Sequence, residues 1–109
     1  MEHVELLKDI KFSDEHPIAQ SIHADKNGRL LHFALEPGQE IKEHSSPTSP
    51  VYIVVLKGEG TFYSGDGSNI KAKLGSIIMY EVGEKHSIKA GEEQLVFVAI
   101  LHGAPRKEN

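Results

Sequence analysis

Two histidines stand in matching surroundings in the sequence and are its first candidates for chemistry. His44 follows the Pro37-Gly38 turn and a short alternating segment, and His86 follows an apolar run and a glycine turn. A neutral imidazole is a common ligand for iron, manganese, nickel, copper and zinc, but a metal site needs several donors around one ion. The two histidines are therefore candidate ligands of one divalent transition metal ion, or polar groups of a pocket.

Other side chains are candidates to line the same site. Ser46 lies on the same side of a strand as His44, because side chains alternate along a strand, and Glu40 and Lys42 share that parity. Tyr52 has an amphipathic ring, and inside a barrel its hydroxyl could orient a bound ligand. The spare imidazole donors, which the sequence does not place near this group, are His32 and His102.

Composition excludes several classes of function. A chain of 109 residues fits one domain with a single core, and the absence of cysteine excludes disulfides and thiolate chemistry. No apolar run of about eighteen residues is present, so no membrane span is expected. The amino terminus lacks the pattern of a secretion signal, which predicts a cytoplasmic protein. A net charge of -4 with mixed signs gives no basic surface for nucleic acid.

Apolar residues alternate or run in short blocks between turn signals, which predicts an all-β sandwich or barrel of about ten strands. Asn27-Gly28 is a strong signal for a two-residue hairpin loop between strands at 18–25 and 29–36. That loop would pair Ile22 with Phe33 and His23 with His32. Further strands are predicted at 4–7, 39–46, 51–56, 61–64, 77–80, 86–89 and 94–101. The apolar run at 51–56 predicts burial on both faces, and residues 102–109 are expected to fray.

Two stretches resemble the signature motifs of the cupin family. The first family motif, G-x5-H-x-H-x(3,4)-E-x6-G, is similar to residues 38–58, where Gly38, His44 and Gly58 fall in place. The second, G-x5-P-x-G-x2-H-x3-N, is similar to residues 75–90. Its matching positions are Gly75, Gly83 and His86. The departures from the two motifs are Ser46 for the second His, Val51 for Glu, Glu81 for Pro and Ala90 for Asn.

The resemblance implies one cupin domain over residues 1–109, folded as an antiparallel double-stranded β-helix. In the family the motifs supply four metal ligands inside the barrel, and only His44 and His86 of those four are present here. The resemblance also places these two histidines on neighbouring inner strands. The implied site is a degenerate one, with Ser46 on a polar side and Val51 on an apolar side.

Two main hypotheses for function follow, together with a third. The first is a barrel that binds a small organic ligand with one polar group in its lumen, without enzymatic activity. Its ligand-binding residues would be His44, Ser46, Tyr52 and His86. The second is a metal-dependent oxygenase or isomerase acting on a small acid or sugar, which needs donors from outside the motifs. The third is a purely structural dimer module. A homodimer is expected in each case, with the hairpin at Asn27-Gly28 near an open sheet edge.

Overall fold

The computed structural model describes residues 1–103, which form nine strands and no helix. None of these residues belongs to a helix that could cross a bilayer. The strands are β1 (Ile18–Asp25), β2 (Gly28–Leu35), β3 (Glu40–His44), β4 (Val51–Lys57), β5 (Glu59–Ser64), β6 (Asn69–Lys73), β7 (Ile77–Tyr80), β8 (His86–Ala90) and β9 (Leu95–His102).

The strands form two antiparallel sheets that face each other. The larger sheet has the order β1-β2-β9-β4-β7 and the smaller one has the order β3-β8-β5-β6. The chain crosses between the sheets several times, as in a double-stranded β-helix. The four glycines that match the motifs have φ between 75° and 92°, turn conformations that other residues rarely adopt. The predicted antiparallel all-β fold is therefore confirmed.

The core lies between the two sheets and is centred on β4 and β9. Along β4, Val51, Ile53 and Val55 are each at most 4% exposed, whereas the residues between them are only partly buried. The predicted burial of β4 on both faces is wrong in this respect. Only the inner face of the larger sheet packs against the smaller sheet. The outward-facing side chains of β4 therefore keep some contact with solvent. Alternation along β4 therefore decides which side chains reach the interior.

Aromatic rings fill one end of the interior. Phe97 on β9 is 1% exposed and stacks on Phe33 of β2, with ring centroids 4.9 Å apart. Phe62 of the smaller sheet meets Phe97 edge to face at 5.9 Å. Offset-stacked and edge-to-face pairs are favourable arrangements that contribute beyond area burial. This aromatic group joins the two sheets across the interior.

The β1–β2 hairpin has a different register from the one predicted. Asp25 pairs with Gly28, so the two-residue loop is Lys26-Asn27 and not Asn27-Gly28. A Cβ at position 28 would collide with the backbone oxygen of Leu101 on the neighbouring β9, so the glycine is needed inside the strand. The Asn27 amide donates to the Asp25 side chain at 2.7 Å, which supports the shifted turn.

The shifted turn, together with a bulge between Ser21 and His23, changes every predicted pair in the hairpin. His23 pairs with Leu30 and not with His32, and Phe33 pairs with Ala19 and not with Ile22. His32 lies on the outer face of the larger sheet. On this face the His23 side chain is 55% exposed, whereas His32 is covered by the amino-terminal segment.

The amino-terminal segment is an irregular strap and contains no strand, so the strand predicted at residues 4–7 is wrong. The His32 ring is 7% exposed, and its Nε2–H donates to the Leu6 carbonyl at 2.9 Å. Further along, the Gln39 side chain donates to the Ser13 carbonyl at 2.7 Å. At the other terminus β9 extends to His102, and the rest of the segment expected to fray, residues 104–109, lies outside the described residues.

Candidate functional site

The two motif histidines meet at one end of the smaller sheet. His44 ends β3 and pairs with His86, the first residue of β8. Their ring centroids lie 4.2 Å apart, and the ring planes make an angle of 62°, an edge-to-face contact. The predicted approach of the two imidazoles is therefore present in the structure. His44 is exposed toward the opening, whereas His86 is 3% exposed.

Backbone carbonyls determine which ring nitrogens carry hydrogen. Nδ1 of His44 bonds to the Lys42 carbonyl at 2.9 Å, and Nδ1 of His86 bonds to the Glu84 carbonyl at 3.0 Å. A carbonyl oxygen only accepts, so each Nδ1 must be the donor. In a neutral ring this leaves Nε2 as an acceptor with a free lone pair. The pair thus offers two acceptor nitrogens.

His86 is fixed in place and held neutral by its neighbours. The ring of Tyr80 stacks on it with centroids 4.5 Å apart and an interplanar angle of 22°. Burial lowers the pKa of His86 below the ordinary histidine value of 6.5, and the neighbouring His44 acts in the same direction. The Glu84 carbonyl and carboxylate oppose this shift but do not reverse it. His86 is therefore an uncharged imidazole at neutral pH.

Tyr80 and Glu84 support this arrangement. The Tyr80 hydroxyl donates to the Tyr63 carbonyl at 3.1 Å, and burial, aided by the charge of Glu84, raises the pKa of Tyr80 to about 12. The Glu84 carboxylate accepts from the Glu81 amide at 2.9 Å and from the Ser64 hydroxyl at 2.7 Å. These bonds lower the pKa of Glu84, so it stays ionised and holds the turn before His86.

A β-bulge sets the orientation of His44. Ile41 pairs with Ile88 and His44 pairs with His86, so three steps along β3 match two steps along β8. Ile41 and His44 therefore face the same side, and both line the interior. Glu40 and Lys42 were predicted to lie on the same side of the strand as His44. This is wrong, because both are exposed outside the cavity.

Between the sheets lies a cavity of about 400 Å³ that opens beside His44. Its inner walls are apolar, with Leu31, Phe33 and Phe97 on the larger sheet and Ile41 and Ile88 on the smaller one. The histidines and the loop at 45–49 make the polar part of the opening. A cavity of this size, mostly apolar with a few placed polar groups, is typical of sites for small molecules.

The other predicted site residues divide into two groups. Ser46 lines the cavity, and its hydroxyl bonds to that of Ser49 at 2.9 Å. Tyr52 does not line it, because it points to the other face of β4 from Val51, and its ring lies 5.0 Å from that of His102. The prediction of Tyr52 as a lumenal residue is therefore corrected. Neither of the spare donors, His32 and His102, lines the cavity.

The residues around the two histidines do not fit the four-ligand metal centre of the motifs. The Ser46 hydroxyl is a weak ligand, and Val51 is an apolar residue that is 4% exposed. Over residues 1–103 no group of three or more His, Cys, Asp or Glu side chains could hold a metal ion. His44 and His86 supply at most two nitrogen donors, so an ion here would need water or a ligand to complete its coordination.

Comparisons with known proteins agree with this architecture. A family model described as a cupin domain matches residues 31–101, well over half of the chain, and the chain belongs to the cupin family. It is similar to the crystal structure of an RmlC-like cupin protein from Desulfovibrio desulfuricans, with 28% identity and a TM-score of 0.84. That match covers 93% of this chain and 96% of the other.

Two more distant structures show the fold alone. A protein with a double-stranded β-helix domain from Klebsiella pneumoniae is 22% identical, with a TM-score of 0.88 over 98% of this chain and 94% of its own. A predicted oxalate decarboxylase from Thermotoga maritima is 24% identical, with a TM-score of 0.73 over 79% of each chain. No match to this chain is found among the curated proteins.

Three residues around the cavity were not identified from the sequence as part of the site. Tyr80 stacks on His86, Ser49 is 4% exposed and bonded to Ser46, and Arg29 lines the opening from β2. Tyr80 could not be placed, because the run at 77–80 is apolar throughout and hides the alternating burial of β7. Arg29 could have been found, because alternation along the predicted strand at 29–36 puts it on the same side as Leu31 and Phe33.

Proposed function

We propose that this cupin domain holds a small organic ligand in the cavity between its sheets and that His44 and His86 bind the polar group of that ligand. The observation that carries the proposal is the pair of imidazoles at the opening of an apolar cavity, with rings 4.2 Å apart and two acceptor nitrogens. Apolar walls favour an apolar ligand body through removal of its surface from water. We further propose that the domain binds without catalysing a reaction.

Removal of each imidazole tests this role. We expect His44→Ala and His86→Ala to fold and to lose binding of phenylethanol, a phenyl ring with one hydroxyl, in titrations followed by amide NMR spectra. The matched control is His102→Ala, because His102 lies outside the cavity. Unfolding of either site variant would make that histidine structural. An unchanged affinity in both would contradict the proposal.

A metal-dependent enzyme is the second candidate, and one observation favours it. Both histidines donate Nδ1–H to a backbone carbonyl, which is how histidines that bind metal through Nε2 are commonly oriented. The test is metal analysis of protein purified without chelator or affinity resin. A stoichiometric transition metal that resists dialysis would favour the enzyme. If zinc or nickel is added and no metal remains bound after dialysis, the ligand-binding domain is favoured.

We also propose that the protein is a homodimer. The supporting observation is that β1 is the outer strand of the larger sheet, and an outer strand offers unpaired backbone groups to another chain. Sedimentation at micromolar concentration should give twice the chain mass. Hydrogen exchange should be slow for the amides of β1. A monomer would refute the dimer, and protection along β7 instead would move its interface to the other edge.

A further inference from the structure

The cavity opening has a cationic side as well as the imidazole side. Arg29 on β2 pairs with Leu101, Leu101 pairs with Val51, and Val51 pairs with Tyr80, so these four residues form one row across the larger sheet. Arg29, Leu101 and Val51 all line the cavity, as do His44 and His86 on the smaller sheet. Arg29 and the two histidines therefore line the same cavity from the two sheets.

Arg29 has no competing partner among the residues described. The two ion pairs found within residues 1–103 are His3–Glu5 and His23–Asp25, and neither involves Arg29. Asp25 also lines the opening, but one of its carboxylate oxygens accepts from the His23 ring at 2.9 Å. The other accepts from the Asn27 amide at 2.7 Å. Asp25 is thus engaged by its own hairpin, and the planar donor fork of Arg29 is available to an anion.

Arg29 and the two histidines require different hydrogen-bonding groups from one ligand. A guanidinium only donates, is always charged and matches a carboxylate in two parallel hydrogen bonds. The Nε2 atoms of His44 and His86 accept in their neutral form, so they require a donor and not an anion. An ammonium donor would have the same charge as Arg29 and Lys26 at the opening, which favours a hydroxyl.

On the basis of the ligand site proposed above, we infer that the ligand is a hydroxy acid with an apolar body. Its carboxylate is bound by Arg29, its hydroxyl donates to Nε2 of one of the two histidines, and its body lies against Phe33 and Phe97. The body faces apolar walls because polar lining is confined to the opening. Arg29 thereby becomes a residue that determines specificity, since an apolar cavity alone does not discriminate an acid from its ester.

Phenyllactate is a suitable probe, and three matched compounds each lack one of its groups. Its methyl ester lacks the charge, hydrocinnamate lacks the hydroxyl, and phenylethanol lacks the carboxylate. We expect the ester to bind wild type about tenfold or more weakly than the acid, because hydrogen bonds to charged groups are the strong ones. Arg29→Gln should weaken binding of the acid by a similar factor and leave the affinity for the ester unchanged. Lys71→Gln, at an exposed position of β6 outside the cavity, is the control and should change little.

The outcomes separate the two proposals. If phenylethanol shifts the amide signals of cavity residues but the acid binds no better than its ester, the hydroxy acid is wrong and the ligand-binding domain stands. If Arg29→Gln has no larger effect than Lys71→Gln, the role of Arg29 is likewise overturned. If none of the four compounds shifts cavity signals, the proposed function itself fails.

Discussion

The ring of Tyr80 lies nearly parallel to that of His86, at 4.5 Å between centroids, and covers one face of the buried imidazole. The other ring contact of His86 is the edge-to-face one with His44. One imidazole is thereby fixed between a strand residue of the larger sheet and a partner on its own sheet. The site histidines are positioned by both sheets, so their geometry depends on the way the sheets pack.

The Tyr80 hydroxyl should contribute to stability separately from its ring. Tyr80→Phe keeps the stacking surface but leaves the Tyr63 carbonyl without its 3.1 Å donor, so we expect the free energy of unfolding to fall by about 1 kcal/mol. Urea unfolding measures the change. Tyr52→Phe is the control, with an expected change within about 0.5 kcal/mol because that ring is partly exposed on the outer face. Equal stability of Tyr80→Phe and wild type would contradict the role of this bond.

Burial of His86 should make stability depend on pH. Its pKa is lowered in the folded state, so below pH 6.5 the unfolded chain binds more protons and the free energy of unfolding decreases as pH falls. Above pH 6.5 the contribution is fully present. His23 acts in the opposite sense, because Asp25 raises its pKa, so the test compares variants. Urea unfolding between pH 5 and 8 should show a flatter profile for His86→Gln, whereas His102→Gln should follow wild type.

The aromatic group that joins the two sheets should be the most sensitive part of the core. Phe97 is 1% exposed and touches Phe33 and Phe62, so Phe97→Ala should lower the free energy of unfolding by about 3–5 kcal/mol. Met79→Ala, at a position 65% exposed, should change it by less than about 0.5 kcal/mol. Thermal or urea unfolding checks both, and similar losses in the two variants would place the core elsewhere.

Restoring the two missing ligand types should create a metal site. Ser46 and Val51 both line the cavity beside the histidines, so Ser46→His combined with Val51→Glu should bind one zinc or nickel ion per chain that survives dialysis. Ser46→His combined with Tyr52→Glu is the control, because Tyr52 lies on the other face of β4. Equal metal content in the two double variants would show that the motif geometry is not retained.

Much of the fold follows from local signals in the sequence. The turn glycines and short apolar runs fix most strand positions, and β7 occupies the predicted residues 77–80. The contact of His44 with His86 follows from the resemblance to the cupin motifs, which implies that the two histidines lie on neighbouring inner strands. Turns and alternation are encoded within a few residues, which is why a single sequence is enough to predict them.

The errors arise where a distant part of the chain decides. The loop of the first hairpin moved by one residue because Gly28 lies against β9, some seventy residues away in sequence. In the irregular segment at 4–7, the Leu6 carbonyl accepts a hydrogen bond from the buried His32 ring and not from a neighbouring strand. Tyr52 was placed in the lumen because a continuous apolar run hides the alternation of β4. Each depends on tertiary packing that a local pattern does not contain.

The bulge in β3 gives the two halves of the site different tolerance for a change in chain length. Loss of one residue at Lys42 or Glu43 would turn the bulge into a regular strand in which Ile41 still faces Ile88 and His44 still meets His86. β8 has no extra residue of this kind, because its pairs with β5 advance one residue at a time without a bulge. Loss of Ser87 would therefore turn His86 away from the cavity. One imidazole is protected against a shortened chain, and the other is not.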